Sequence, residues 1–452
     1  MDSMHKMKKY LLPLACIILH LHAHAQIGEY EQDSTYGQSE IINTSQILKL
    51  KKGYVLGDGV TIQSNKGRLN FSQSLQTSFA VNSTNTNLSL PNAAFDINRA
   101  RLTMVGNLFD NKISVVSRVN FSSNYQSVTT GTRSFNTTLQ EAYVEYRASR
   151  KHTFNFGLRA DYIDSRETRM EGENLGFINR SALSGAFDAI FDYGFRYKGN
   201  YKLGGRHLLK TYVSITTGDS RSGLQKNYGG FKYGARIDYL PFDRFSKGGE
   251  FYMDDLAREE KPKLVIGAIF SYNDGASSAL GTNGGRFLYG DINQKVLLPK
   301  YSKIGVDYLF KYNGFYSMGS YFATSATIPS SIKGEFRLNG TFNPYAVTQT
   351  DEQTKNIVQT RLNLGGAYNI QAGYLLKSDW SFGFRYTGLN ANAVSANYAE
   401  YNKYYAFVFT KYMSGNNLKV QTEIGYDELS NDFKTATKKG NNYAQVMVTV
   451  QL

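Results

Sequence analysis

The chain has 452 residues, a net charge of +14, 34 Tyr, 28 Phe, 42 Gly, only 7 Pro, and a mean hydropathy of −0.40. One cysteine excludes an intramolecular disulfide, and six histidines leave little from which to build a metal cluster or a histidine-based catalytic centre. Beyond the first 25 residues no apolar run reaches eighteen, which excludes a spanning helix. A hydrophilic chain rich in Tyr and Phe fits either a secreted β-protein or a closed membrane barrel, whose lipid face takes only every second residue.

The chain opens MDSMHKMKKYLLPLACIILHLHAHAQ. Lys6, Lys8 and Lys9 form a basic n-region, Leu11 to Leu21 an apolar core, and Ala23-His24-Ala25 a small-x-small cleavage site. Residues 1–25 therefore read as a secretory signal peptide, cleaved near Ala25. A lipoprotein box at Pro13–Cys16 lies too early, because the apolar run continues past it. Cleavage removes three Lys and one Asp, taking the charge from +14 to +12. It also removes Cys16 and four histidines, leaving His152 and His207. No cofactor is expected. Residues 26–66 are polar and irregular, a periplasmic lead-in with a short hairpin around Gly57–Gln63, and LKLKK at 48–52 reads as solvated chain, with no nucleic-acid partner.

In residues 67–452, the expected barrel, strict alternation recurs from about residue 68 to the last. Phe154, Phe156, Leu158, Ala160 and Tyr162 interleave with Thr153, Asn155, Arg159 and Asp161, and Phe231–Tyr239, Ile304–Tyr312, Trp380–Tyr386 and Leu418–Tyr426 repeat the pattern. A period of two predicts strands with one apolar and one polar face. About sixteen are expected, near 68–82, 95–108, 111–123, 137–147, 151–162, 190–202, 206–218, 228–241, 262–273, 301–312, 314–326, 362–376, 379–388, 402–413, 416–428 and 441–452. Tight turns at 110–111, 148–150, 203–205, 377–378 and 414–415 separate longer connections at 83–94, 124–136, 163–189, 219–227, 274–300, 327–361, 389–401 and 429–440. The fold class is thus all-β: a transmembrane antiparallel barrel with short periplasmic turns and long extracellular loops. The connector 242–261 breaks the rule by its length and is expected to carry a small periplasmic element. The last strand, YAQVMVTVQL, is placed to close the barrel on the first, although it ends on Leu452 where many such barrels end on an aromatic residue. Sixteen strands enclose a lumen too wide for their own side chains, so a water-filled channel is expected.

At FDINRARLTMVGNLFDNKISVVSRVNF and LQEAYVEYRASRKHTFNFGLR the sequence resembles the phosphate-selective porin O and P family. The resemblance rests on Asn98-Arg99-Ala100-Arg101-Leu102, Leu139–Val144, Phe177-Ile178-Asn179-Arg180 and Tyr193-Gly194-Phe195-Arg196, and extends loosely to KYYAFVFTKYMSGNNLKVQTEIGY. It implies a homotrimer of sixteen-stranded barrels in the outer membrane of a Gram-negative bacterium, among its lipid and lipopolysaccharide. It also implies passive diffusion of small anions, phosphate among them. The third extracellular loop, 163–189 here, would fold inward as a constriction carrying Arg166, Arg169 and Arg180. The same loop carries Asp164, Glu167, Glu171, Glu173 and Asp188, so it is not purely basic.

Parity alone assigns to the lumen Arg99, Arg101, Arg118, Arg159, Arg196, Lys198, Lys210, Lys232, Arg236, Lys303, Lys311, Arg385 and Lys419. Against them stand Glu141, Glu145, Asp161, Asp192, Asp238, Asp307, Glu423 and Asp427. Arginine suits an anion path because its fork holds oxyanions by paired, charge-assisted bonds. The plainer reading is cross-strand pairing that stiffens the wall, preferred for Arg159–Asp161 and Arg236–Asp238. Arg99 and Arg101 have no acidic neighbour on their own face and read as pore residues. Tyr143 and Tyr212 are the clear lumen aromatics, too few for a sugar-stacking path. An enzyme is not expected: His152 and His207 both follow periplasmic turns, away from the rim where a lipid substrate arrives. The alternative is a general, plugged or adhesive barrel that binds a partner through its long loops.

Overall fold

The computed structural model describes residues 55–83, 92–124, 134–135, 138–218, 228–282, 287–337, 339–393, 401–430, 434 and 440–452. The signal peptide and most of the lead-in lie outside the described residues. Sixteen barrel strands follow: β1 Gly67–Ser83, β2 Asn92–Leu108, β3 Ile113–Asn120, β4 Thr138–Arg147, β5 His152–Ala160, β6 Phe191–Gly204, β7 His207–Thr216 and β8 Lys232–Leu240. The second half comprises β9 Lys263–Asn273, β10 Lys300–Tyr312, β11 Phe315–Thr327, β12 Leu364–Leu375, β13 Trp380–Ala393, β14 Tyr401–Ser414, β15 Leu418–Leu429 and β16 Gly440–Gln451. Each pairs antiparallel with the next. β16 closes on β1 over Ser74↔Gln451 to Ser83↔Asn442, and Leu452 exchanges two backbone hydrogen bonds with Gln73. Every one of the sixteen expected strands is present, and the last does close the barrel.

The alternation dictates two environments. Outward side chains such as Leu102, Met104, Phe156, Ile237, Phe270, Val306, Ile370 and Ile424 leave an apolar exterior that a bilayer covers. At the short-turn end the chain reverses where residues accept positive φ: Asn313 (48°) and Gly314 (90°) make the β10–β11 hairpin, as a primed turn requires. At the other end a separate small sheet, Leu288–Gly290, Val296–Leu297, Gly334–Phe336 and Phe342–Pro344, stands with a helix, Asp351–Thr360, capped at Thr350. The lead-in adds a short strand, Val60–Ser64, which folds back on Gly67–Phe71.

One irregularity aims the site. Between Gln76↔Arg99 and Thr77↔Ile97 the β1–β2 register shifts, so that Asn98 is a bulged residue. A bulge exchanges the two faces of a strand. Phe95 therefore lies outward, 74% exposed, while Arg99 and Arg101, at the same odd parity, point inward.

The lumen expected to be a water-filled channel is narrowed by inserted chain. Strand side chains alone do not fill the lumen, but two inserted segments do so over much of it. Loop 163–189 enters from the long-loop end. Connector 242–261 enters from the short-turn end and, instead of standing outside the barrel, packs inside it. Met170, Leu175 and Phe177 of the loop and Phe245 and Met253 of the connector share a buried cluster with Leu208, Leu240, Val265, Leu309, Tyr316, Met318, Ala406 and Val408. A second cluster packs Ile163, Leu183, Ala186 and Phe187 on Ile269, Phe322, Ala367 and Leu389. Each buried side chain of this size contributes ~1.5–3 kcal/mol.

Candidate functional site: the inward loop and the arginine sector

Loop 163–189 is a compact body. Two short 3-10 turns, Glu167–Arg169 and Gly172–Asn174, precede a helix, Ala182–Phe187, capped by Ser181. Glu167 ties them together: one carboxylate oxygen accepts from the Ser181 amide (3.0 Å), the Ser181 hydroxyl (2.6 Å) and the Ser184 hydroxyl (2.9 Å). Asp188 accepts from the amide and hydroxyl of Ser165 (3.2 and 2.5 Å). Burial, then the neighbouring Asp164, push the Asp188 carboxyl up to about 6.

The acids and arginines of the loop are its anchors. Arg166 reaches Asp238 (2.8 Å) and Asp307 (3.0 Å), and Arg169 reaches Asp238 (2.6 Å) and donates to the Tyr212 hydroxyl (2.9 Å). Lys303 bridges Asp164 (2.5 Å) and Asp188 (3.3 Å). On the far side Glu423 accepts from the Ile178 amide (2.8 Å), and Lys419 donates to the Leu175 carbonyl (2.6 Å). Facing β1–β3, Glu173 pairs with Arg101 (3.1 Å) and accepts from Ser74 (2.5 Å), while Glu171 pairs with Arg118 (2.8 Å) and Arg101 (3.4 Å). Burial opposes ionisation of Glu173, yet Arg101 and Arg99 hold its carboxyl down at about 2. Against the same opposition Arg118 and Arg101 hold Glu171 below the ordinary carboxylate range.

The connector meets the loop inside the lumen. The Met253 amide donates to the Asn174 carbonyl (3.0 Å), and the Gly176 amide donates to the Met253 sulfur (3.2 Å). A Cβ at Gly176 would lie 2.8 Å from the Asp254 carboxylate and 3.1 Å from that sulfur, so glycine sets the approach. Asp254 accepts from Ser381 (2.6 Å) and Tyr412 (2.5 Å), Glu250 pairs with Lys210 (2.5 Å), and Lys311 donates to the Gly249 and Asp254 carbonyls.

Most basic residues assigned to the lumen are thus buried and paired. Arg236 holds Asp238 (2.8 Å) and Asp307 (2.7 Å), so the Arg236–Asp238 strut is present. Arg159 pairs with Glu145 (2.7 Å) and stacks on Tyr143 and Tyr162. Asp161 faces Arg196 (3.5 Å) and Lys232 (3.7 Å), so the expected Arg159–Asp161 pair is replaced by these. Lys198 is half-buried on β6. Arg385 lies against Glu423 (3.4 Å) and Glu167 (3.7 Å). Arg101, expected to lack an acidic neighbour, finds two in the loop. His152 and His207 are bonded to Tyr197 and Tyr239 (both 2.8 Å).

Two guanidiniums differ. Among the described residues, Arg99 and Arg180 have no carboxylate at ion-pair distance: Arg99 donates to Gln76 (2.5 Å) and Arg180 to the Met170 carbonyl (2.7 Å). They are half-buried and lie within electrostatic reach of each other. A Cβ at Gly172 would sit 2.4 Å from the Arg99 Nε, so glycine between Glu171 and Glu173 leaves room for that side chain. Below them, towards the short turns, a cleft of about 400 Å³ runs between β1–β3 and the connector, roofed by Arg101, Arg118, Glu171 and Glu173.

Parity missed the inward apolar wall and the connector's Glu250, Met253 and Asp254. The available signal was apolar character on both faces of KLVIGAIFSYN and FYSMGSYFATSAT, which marks strands buried on both sides.

No family model and no curated protein matches the chain. Among solved structures, OmpF of Salmonella typhi in complex with daunomycin superposes with a TM-score of 0.50 at 12% identity, over 87% of this chain and 100% of that one. The outer-membrane channel DcaP of Acinetobacter baumannii gives 0.47 at 12% identity (87% and 99%), and OmpT, an outer membrane protein of Vibrio cholerae, 0.46 at 10% (86% and 99%). The fold is that of a sixteen-stranded outer-membrane porin barrel.

Proposed function

We propose that the protein is an outer-membrane porin for passive diffusion of small anions, with its solute path in the sector between β1–β3 and the inward loop. The observation that carries this reading is the pair Arg99 and Arg180. Whereas Arg101, Arg118, Arg159, Arg166, Arg169, Arg196, Arg236 and Arg385 are matched by carboxylates, these two offer donors to neutral partners only, above a cleft of about 400 Å³. Guanidiniums so placed lower the barrier for anions and raise it for cations. Phosphate belongs to the same chemical class, and a phosphate-selective porin of the O and P type, assembled as a homotrimer after cleavage near Ala25, is the finer form of the proposal.

Reversal potential in a potassium chloride gradient across a planar bilayer tests it. The wild type is expected to favour chloride, and Arg99→Gln with Arg180→Gln to move the potential towards zero. Block of the chloride current by added phosphate supports the finer form. A specific observation favours a second reading. The connector and the loop touch inside the lumen at Met253 and Asn174, and the outer sheet and helix form an ordered platform around Tyr289, Ile332 and Val358. A wild type that does not conduct would make the protein a plugged barrel that engages a partner through that platform.

A further inference from the structure

The two arginines in the roof of the cleft have one carboxylate more than they need. Arg118 already pairs with Glu141 of β4 (2.9 Å), and Arg101 with Glu173 (3.1 Å). Both of these carboxylates are buried, at 4% and 5% side-chain exposure. Glu171 is the third, and it alone reaches both guanidiniums, with both oxygens against Arg118 (2.8 and 2.9 Å) and one against Arg101 (3.4 Å). Its side chain is 36% exposed and lines the cleft. The Nε of Arg101, a side chain 93% buried, has no partner although the residue lines the same cleft.

The charges point the same way. Arg99, Arg101, Arg118 and Arg180 set four positive charges against Glu141, Glu171 and Glu173, because Glu167 is taken up by the loop hydroxyls and Arg385. Without the Glu171 contact the cluster lacks two negative charges. Breaking that one contact leaves Arg101 and Arg118 each still paired, so it avoids the cost of orphaning a buried charge.

We propose that Arg101 and Arg118 form a binding site for small dicarboxylates, and that Glu171 occupies it as a tethered stand-in for the solute. A carboxylate arriving along the cleft exchanges with Glu171, takes its two-oxygen contact on Arg118, and reaches the free Nε of Arg101. Its second carboxylate is drawn by Arg99 and Arg180. Glu171 therefore acts as both gate and selectivity filter: an anion that cannot replace its contacts does not displace it. The inference deepens the anion-channel reading of this sector, but binding can be measured without conduction.

The test is isothermal titration of sodium succinate into the detergent-solubilised full barrel, with folding checked by heat-dependent gel mobility. Removing an internal competitor raises the binding-competent fraction, so Glu171→Gln is expected to bind succinate about tenfold more tightly than wild type. Adding Arg101→Gln to that variant should abolish the gain. Should Glu171→Gln not fold, Glu171→Ala carries the same expectation. Equal affinities in folded wild type and variant overturn the proposal, as does a gain for inorganic phosphate without one for succinate. A wild type that conducts anions without this difference leaves the channel reading standing and removes the stand-in. A silent wild type whose variant binds more tightly does the reverse.

Discussion

The two sides of the lumen are built on opposite terms. From β7 to β14 the wall meets the inserted segments through an apolar core and matched ions: Asp238 serves Arg166, Arg169 and Arg236, and Lys303 serves Asp164 and Asp188. From β1 to β3 the wall meets the same loop almost wholly through polar groups, with guanidiniums in excess and a cleft left open. The first side is close to what buried charge tolerates, ion pairs or, for Lys311, backbone carbonyls against a dry neighbour. The second leaves Arg99 and Arg180, both half-buried, with neutral partners only. If the proposed solute path is right, it differs from the structural seam in that its charges do not close among themselves.

The largest expected effect breaks the sealed side. Asp238→Ala leaves Arg169 without its carboxylate and strips one from Arg166 and Arg236, a loss of about 3–5 kcal/mol for a broken buried network. The heat-unfolding midpoint should fall and single-channel conductance rise as the loop leaves the wall; unchanged values for both would mean that the apolar core alone holds it. Phe177→Ala, in the shared core and under the Arg385 guanidinium (4.4 Å), should cost about 3 kcal/mol and loosen loop and connector together. Protease accessibility of the 242–261 connector reads this directly, and an unaltered digestion pattern would separate the two segments.

Acid offers a gentler lever on the same side. Asp188, facing Asp164 and Lys303, titrates at about 6 when folded against an ordinary 3.8, so the folded chain holds more protons between pH 4 and 6. Stability from this group is therefore greatest at the low end of that window and falls as pH rises through it. Glu171 and Glu173, held low, act only below it. Asp188→Asn should flatten the midpoint between pH 4 and 6; a slope that survives assigns the effect elsewhere. The smallest effect on stability belongs to the open side. Arg99→Gln should cost about 1 kcal/mol, the hydrogen bond to buried Gln76, since it orphans no carboxylate, while moving the reversal potential. A large loss of stability would make Arg99 a strut like its neighbours and erase the contrast.

The sequence by itself determined the barrel. Side-chain parity is a local consequence of the pleat, so Phe154 to Tyr162 or Trp380 to Tyr386 read as strands without any knowledge of their neighbours, and Leu203-Gly204-Gly205 reads as a turn because few other residues accept its backbone. The inward course of loop 163–189 was legible only through a resemblance. What stayed hidden is non-local. The bulge at Asn98 decides that Arg99 faces the lumen while Phe95 does not, and bulges depend on the partner strand's register. That Asp238 would hold Arg166 and Arg169, that Arg101 would meet Glu171 and Glu173, and that the connector would turn inward to set Met253 against Gly176 depend on segments about 70 residues or more apart in sequence. Such pairings carry no periodic trace in the chain. Only closure of the sheet brings them together, and with them the division between matched and unmatched charge.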